Sequence, residues 1–374
     1  MPEAIRNKHL LTFDILKGIV IWMIILVHSR QKFDGLNIWL GVFDVGQMGC
    51  QMFFVISGMA SMMSYKRLAG QPHAKQEFYK KRLTAIIPGW YAAIFLAYIL
   101  NTLSLAFLDM NIGFAVNRQP LSILCNLLLL HGLLPFCNNN VAAGGWFIGT
   151  VILFYLAVPF LYKFMAQRKQ SFVKYIPWIA EAAACVCIVG LYLLTRRKHG
   201  YAALKNNGFI YFSFVNQMGC FLLGVSLYFE KETKNIVIEK ILCILDAFLL
   251  LFVFFSGWKL AFVMVPFIMG LLTYHLIRWM LFLEERGDVS FGKSKIMKIL
   301  KAYGQNSYYI YLIHGLFVWS MPLVLHKLLS ALGLYINDNL LYLILIIPMF
   351  VLSYYTALLF HKMITAIKNL FPKS

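Results

Sequence analysis

Stretches of about twenty mostly apolar residues recur along the chain, separated by short segments rich in lysine and arginine. A run of that length crosses the hydrocarbon core of a bilayer as a helix. Ten such spans are predicted, at roughly 10–29, 36–62, 84–106, 146–165, 175–195, 209–229, 238–257, 260–282, 304–326 and 339–361. The fold class is therefore an all-α polytopic membrane protein, expected as one integral membrane domain over 1–374 with no appended soluble domain.

The stretch 121–136, LSILCNLLLLHGLLPF, is apolar but too short to span. Basic residues decide how to treat it, because lysine and arginine collect in cytosolic loops. With the N-terminus inside and this stretch not crossing, 24 basic residues fall inside and 9 outside, with Lys17 within a span. Crossing would send sixteen of those out and bring only six in. The stretch is thus expected to be re-entrant or interfacial, its His131 structural, and both termini and the polar loop 283–303 cytosolic. The basic start, MPEAIRNKHL, leads into a span too long and too charged for a cleaved signal.

The first span carries polar groups in an ordered way. In FDILKGIVIWMIILVH, eleven steps of about 100° bring His28 to within roughly 20° of the direction of Lys17. Asp14, three before Lys17, lies near the same line. Lys17 and His28 are then about 16 Å apart along the axis. Ionisable groups inside a membrane helix usually face a cavity or a partner. The alternative is a snorkelling lysine at one end and a capping histidine at the other.

Composition adds to this picture. The 374 residues are 61% hydrophobic and 13% charged, with mean hydropathy +0.72. The formal net charge of +19 would suggest nucleic acid in a soluble protein. Here positive-inside topology accounts for it, and no nucleic-acid partner is expected. A basic cytosolic face also suits a phosphorylated ligand. The seven cysteines have no CxxC spacing, and no metal site or nucleotide-binding loop is written in the chain.

Further polar positions recur inside the spans. Asp44 is placed near the level of His28, where it either orients the imidazole or caps a helix start. Lys80 and Lys81 read as membrane anchors, whereas Arg82 can also clamp a phosphate. Trp146 opens the fourth span at the interface where tryptophan is common. Asn216 and Gln217 in the sixth span either contact a substrate or stitch helices together. Ser307, Tyr311 and His314 form one stripe of the ninth. Glu181 and Asp246 are two further acids without an assigned role.

Taken together, these segments resemble membrane acyltransferase family 3, integral membrane enzymes that modify cell-surface glycans. The resemblance covers nearly the whole chain. Its elements are Lys17, ten intervening residues and His28; Phe53, Phe54, Ser57 and Gly58; Arg82 six before Pro88; Trp146 with Phe154, Tyr155 and Pro159; and Ser307, Tyr308, Ile310, Tyr311, Leu312 and His314. Three positions depart from the family pattern: Ala85 stands for a second basic residue, Val151 for an acid after the tryptophan, and Gln51 for an acid before the phenylalanine pair.

The resemblance implies transfer of an acyl group, most often acetyl, from cytosolic acyl-CoA to a hydroxyl of a surface or lipid-linked glycan. It implies acetyl-CoA as donor substrate, no metal, and residence in the cell membrane as a multi-pass protein. His28 is then the expected base, with Asp44 beside it, and Tyr311 or His314 the expected oxyanion donor. Lys17 and Arg82 belong to the donor side; Trp146, Asn216, Gln217 and Ser307 are expected to contact the acceptor. A transporter or flippase for a lipid-linked sugar is the alternative, although the two halves of the chain show no matching repeat.

Overall fold

The computed structural model describes residues 9–33, 35–36, 38–109, 118–142, 144–198, 208–230, 235–258, 261–287 and 292–370. Arg6, Lys8, Lys205, Lys231, Lys234, Lys259 and Lys373 of the basic-residue count lie outside the described residues. The architecture is helical throughout the described residues. The principal helices are α1 (Leu11–Ser29), α2 (Gly49–Lys66), α3 (Ala74–Leu108), α4 (Pro120–Leu127), α5 (Gly145–Ala166), α6 (Ile176–Lys198), α7 (Phe214–Phe229) and α8 (Ile236–Phe255). They continue with α9 (Ala261–Glu285), α10 (Lys295–Gln305), α11 (Ser307–Ile313), α12 (Ser320–Ala331) and α13 (Asp338–Leu370).

Among the described residues, 8 helical segments are long and apolar enough to cross a membrane. The expected spans 36–62 and 238–257 are not among them. The first is divided into a 3₁₀ helix, Ile38–Met48, and the more polar α2. The second is α8, which carries Glu239, Lys240 and Asp246. Both are nonetheless packed into the bundle, α2 against α7 and α8 against α9. The ninth span is interrupted at His314 and Trp319, between α11, a short helix Gly315–Val318, and α12. The stretch 121–136 forms only the eight-residue α4 and a 3₁₀ turn, His131–Leu133, with Leu129 at φ 60° between them.

Two close helix crossings organise the interior. A Cβ on Gly304 of α10 would overlap the Asp14 carbonyl oxygen of α1, and one on Gly224 of α7 would overlap the Val55 carbonyl of α2. Small residues let membrane helices approach to this distance, where van der Waals packing replaces the hydrophobic effect as the source of association. The start of α1 is held from another helix. The backbone N–H groups of Leu11 and Thr12 donate to the carboxylate of Glu284 at 2.8 and 2.9 Å, which satisfies orphan donors and places an anion at a helix N-terminus.

The acids of the later spans differ in how they are held. Glu239 accepts from Arg278 at 2.7 Å and pairs with His275 at 2.9 Å, tying α8 to α9. Asp246 lies 3.9 Å from the other nitrogen of that His275. Glu181 is buried, with one oxygen 3.8 Å from Cys185 one turn later on its own helix.

Candidate functional site

Two cavities lie along α1, one at each of its polar positions. The first, of about 350 Å³, is lined by His28, Gln31, Gln47, Cys50, Asn139, Gly144, Trp146, Tyr211, Phe212, Tyr311, His314 and Trp319, among others. The second, of about 480 Å³, is lined by Lys17, Phe53, Ser57, Arg82, Ala85, Phe147, Tyr155, Ser307, Tyr308, Tyr311 and Lys368, among others. We call them the histidine cavity and the basic cavity.

Tyr311 borders both. Its ring stands edge-on to Phe53 and Phe147, at centroid distances of 6.5 and 5.4 Å, so three aromatic rings form the partition. The Tyr311 hydroxyl donates to the Gly144 carbonyl at 2.8 Å. Gly144 takes φ 73° where the chain turns into α5, and a Cβ there would press on the Tyr311 hydroxyl at 2.6 Å. Glycine is thus required twice at this position, for its backbone conformation and for the contact.

In the histidine cavity, neighbouring groups set the proton positions on both imidazoles. A backbone carbonyl only accepts, so His314 Nδ1, 2.7 Å from the Tyr311 oxygen, carries its proton. The neutral ring then has its lone pair on Nε2, which is buried and has no protein partner. For His28 the argument passes through a third residue. The Trp319 indole N–H, a donor only, gives its hydrogen to Gln31 Oε1 at 2.9 Å. That atom is therefore the amide oxygen, and His28 Nδ1 at 3.1 Å donates to it. Both rings present Nε2 as acceptor, with ring centroids 5.2 Å apart.

This arrangement differs from expectation at two points. The Asp44 carboxylate accepts from the largely buried Arg30 at 2.7 Å and forms an ion pair with it, while Gln31 is the residue that fixes the His28 ring. Tyr311 and His314 have already committed their protons, to Gly144 and to the Tyr311 carbonyl. In this conformation neither has a hydrogen to offer an oxyanion, and neutral His314 enters as an acceptor.

Three cations line the basic cavity, Lys17, Arg82 and Lys368, and no carboxylate does among the described residues. The Arg82 guanidinium lies over the rings of Phe78 and Tyr155, at 5.3 and 4.9 Å from their centroids, which fixes its plane. Asp14 is buried within electrostatic reach of Lys17 and accepts from Gln305 of α10 at 3.0 Å.

Lys368 escaped the sequence reading, and its place has a local cause. Pro88 lacks an N–H, so the carbonyl four residues earlier, that of Thr84, loses its helical partner. Lys368 Nζ donates to that carbonyl at 2.9 Å. The lysine is thereby anchored on the residue next to Ala85, the position where the resemblance called for a second basic group.

The remaining expected contacts divide. Trp146 lines the histidine cavity and stacks on Phe212, with centroids 4.5 Å apart. Ser307 lines the basic cavity, so the Ser307–Tyr311–His314 stripe runs from one cavity through the partition to the other. Asn216 and Gln217 line neither. Asn216 donates to the Tyr211 and Phe262 carbonyls at 3.1 and 3.2 Å, the latter freed by Pro266 four residues on. Gln217 accepts from Gln51 at 2.9 Å and donates to the Tyr211 carbonyl at 2.6 Å. Both join helices. His131 is also structural: it stacks on Trp90 at 5.4 Å and donates to the Gly145 carbonyl at 2.9 Å. Burial lowers its pKa to about 4. Among the described residues no group of three or more His, Cys, Asp or Glu is placed to hold a metal ion.

A family model described as an acyltransferase domain matches residues 10–358, which takes in the histidine cavity and all of the basic cavity's lining except Lys368. The chain belongs to acyltransferase family 3. No curated protein and no solved structure matches it. As a family 3 acyltransferase with several membrane-crossing helices, the protein is a multi-pass membrane enzyme of acyl transfer. The match runs from Leu10, just before α1, into α13, and Lys368 lies beyond its end on that helix.

Proposed function

We propose that this acyltransferase moves an acetyl group from acetyl-CoA, held in the basic cavity, to a hydroxyl of a surface or lipid-linked glycan held in the histidine cavity. The observation that carries the reading is the meeting of two chemically opposite cavities at one side chain, Tyr311. One is lined by three cations and no carboxylate, and the other contains two imidazoles with free acceptor nitrogens.

Phosphates of CoA pair with Arg82, Lys17 and Lys368, Arg82 being capable of the bidentate geometry. The pantetheine arm reaches toward the partition, which brings the thioester to Tyr311. A sugar hydroxyl is a poor nucleophile at neutral pH and needs a base within hydrogen-bond reach. His28 Nε2 takes the hydroxyl proton as the oxygen attacks the thioester carbonyl. The C–S bond breaks, and the thiolate takes the proton back from the imidazolium. The sum is thioester and alcohol giving ester and thiol. His314, beside His28, accepts a second hydrogen bond from the acceptor sugar and orients it. For thioester and hydroxyl to meet, the three-ring partition has to open, and the Tyr311–Gly144 hydrogen bond is the contact that closes it.

The basic cavity faces the cytosol in this reading, in keeping with the basic-residue asymmetry, and the histidine cavity faces the opposite side of the cell membrane. Purified protein, given acetyl-CoA labelled in the acetyl group and a glycan acceptor, should transfer label to the glycan and release CoA thiol in equal amount. Release of thiol without labelled glycan, across acceptors, would refute the acceptor half of the proposal.

A further inference from the structure

The histidine cavity differs from the basic cavity in one respect that bears on the acceptor. Among the described residues, no Lys, Arg, Asp or Glu lines it. Its polar groups are the amides of Gln31, Gln47 and Asn139, the Cys50 thiol, the tyrosine hydroxyls, the indoles of Trp146 and Trp319 and the two imidazoles, all uncharged or neutralisable. Of the charges nearest in the sequence, Arg30 and Asp44 are paired with each other at 2.7 Å, and neither they nor Lys32 line the wall. The flat surfaces are aromatic, with Trp146 backed by Phe212.

We infer that the acceptor is a neutral sugar residue, one bearing neither carboxylate, phosphate nor free amine on the ring that enters this cavity. The inference rests on the glycan reading above and narrows it. A carboxylate or an ammonium carried into this cavity leaves water and meets no counter-charge, which is the costly way to bury an ion. A carboxylate meets a second obstacle. The unpartnered buried atoms here, His314 Nε2 and Asn139 Oδ1, are both acceptors. They call for hydrogen donors, which sugar hydroxyls supply and an ionised carboxylate does not. The C–H face of a neutral pyranose also matches an indole surface such as that of Trp146, while its hydroxyls match the amide rim. An N-acetylated amino sugar satisfies the same conditions, whereas its free-amine counterpart does not.

The test uses the full chain in its own cells and in purified form. Surface glycans from cells with the wild-type protein and with His28→Ala are hydrolysed under conditions that keep esters, and each acetylated residue is identified by mass spectrometry and NMR. The expected result is loss of acetyl from a neutral hexose, deoxyhexose or N-acetylhexosamine. Loss from a uronic acid, a phosphorylated sugar or a free-amine sugar overturns the inference while leaving glycan acyl transfer intact. No change in any sugar, with acyl-CoA still consumed by the wild type, refutes the glycan reading and the inference together. In purified form, matched pairs such as glucoside against glucuronide should differ at least about 100-fold in kcat/KM in favour of the neutral member, the scale of a buried charge without a partner. Equal rates would contradict it.

Discussion

His28 and His314 lie with ring centroids 5.2 Å apart, each with its Nδ1 proton given to a neighbouring oxygen and its Nε2 left as acceptor. They come from the first and the ninth of the expected spans, so the pair exists only in the folded bundle. Replacing His28 by Ala is expected to lower transfer at least about 100-fold, the usual scale for a lost base, with membrane insertion unchanged. His314→Ala should lower it as well, and the double variant should be little worse than the more damaging single one, because residues acting as a unit are not additive. Product formation at matched protein levels is the measurement.

Lys368 should act on the donor alone. Lys368→Gln removes the charge while keeping a polar side chain, and is expected to raise KM for acetyl-CoA several-fold with kcat nearly unchanged. The same variant should be indifferent to an acyl-pantetheine donor, which carries no nucleotide phosphates. An equal effect on both donors would remove Lys368 from phosphate recognition. Lys362→Gln, on the same helix but not lining the cavity, serves as the comparison.

Asn216→Ala is expected to lower stability rather than acceptor recognition. Its side-chain amide spans two carbonyls, one of them freed by Pro266. Interhelical hydrogen bonds of this kind in membranes are worth about 1 kcal/mol. A thermal unfolding midpoint lowered by a few degrees in detergent, with acceptor KM unchanged in the folded fraction, is the predicted outcome.

The sequence made much of this legible, and the limits have physical causes. Span length and hydropathy located the helices, and the eleven-step spacing from Lys17 to His28 placed those residues at two cavities. The stripe of α11 likewise carried Tyr311 to the partition. What failed was partner choice. Asn216 and Gln217 are uncharged amides inside a helix, and nothing local separates a stitching amide from a ligand-binding one. Asp44 was matched to His28 by depth, but Arg30 in the adjoining turn reaches it first. Gln31 and Trp319 are held together only by the fold. Proline gave an unused signal: Pro88 and Pro266 each free a known carbonyl, but the donors that reach them, Lys368 and Asn216, are set by tertiary structure.

The orientation of the chain is testable by itself. Ser294 caps α10 in the polar loop, and its side chain accepts from Met297 N–H at 3.3 Å. With native cysteines replaced, Ser294→Cys should resist an impermeant thiol reagent in intact cells and react once the membrane is opened. Labelling in intact cells would place the loop outside and invert the assignment of the two cavities.

The division of the site into a donor and an acceptor cavity is tested most directly by titrating CoA into purified wild type, Arg82→Lys and His28→Ala. Arg82 stands in the basic cavity, where its guanidinium plane is set by Phe78 and Tyr155, and lysine cannot reproduce its two parallel donors. Arg82→Lys should therefore bind CoA more weakly than wild type. His28→Ala should bind CoA as wild type does and yet transfer nothing. Loss of CoA binding in His28→Ala, with normal binding in Arg82→Lys, would contradict the account.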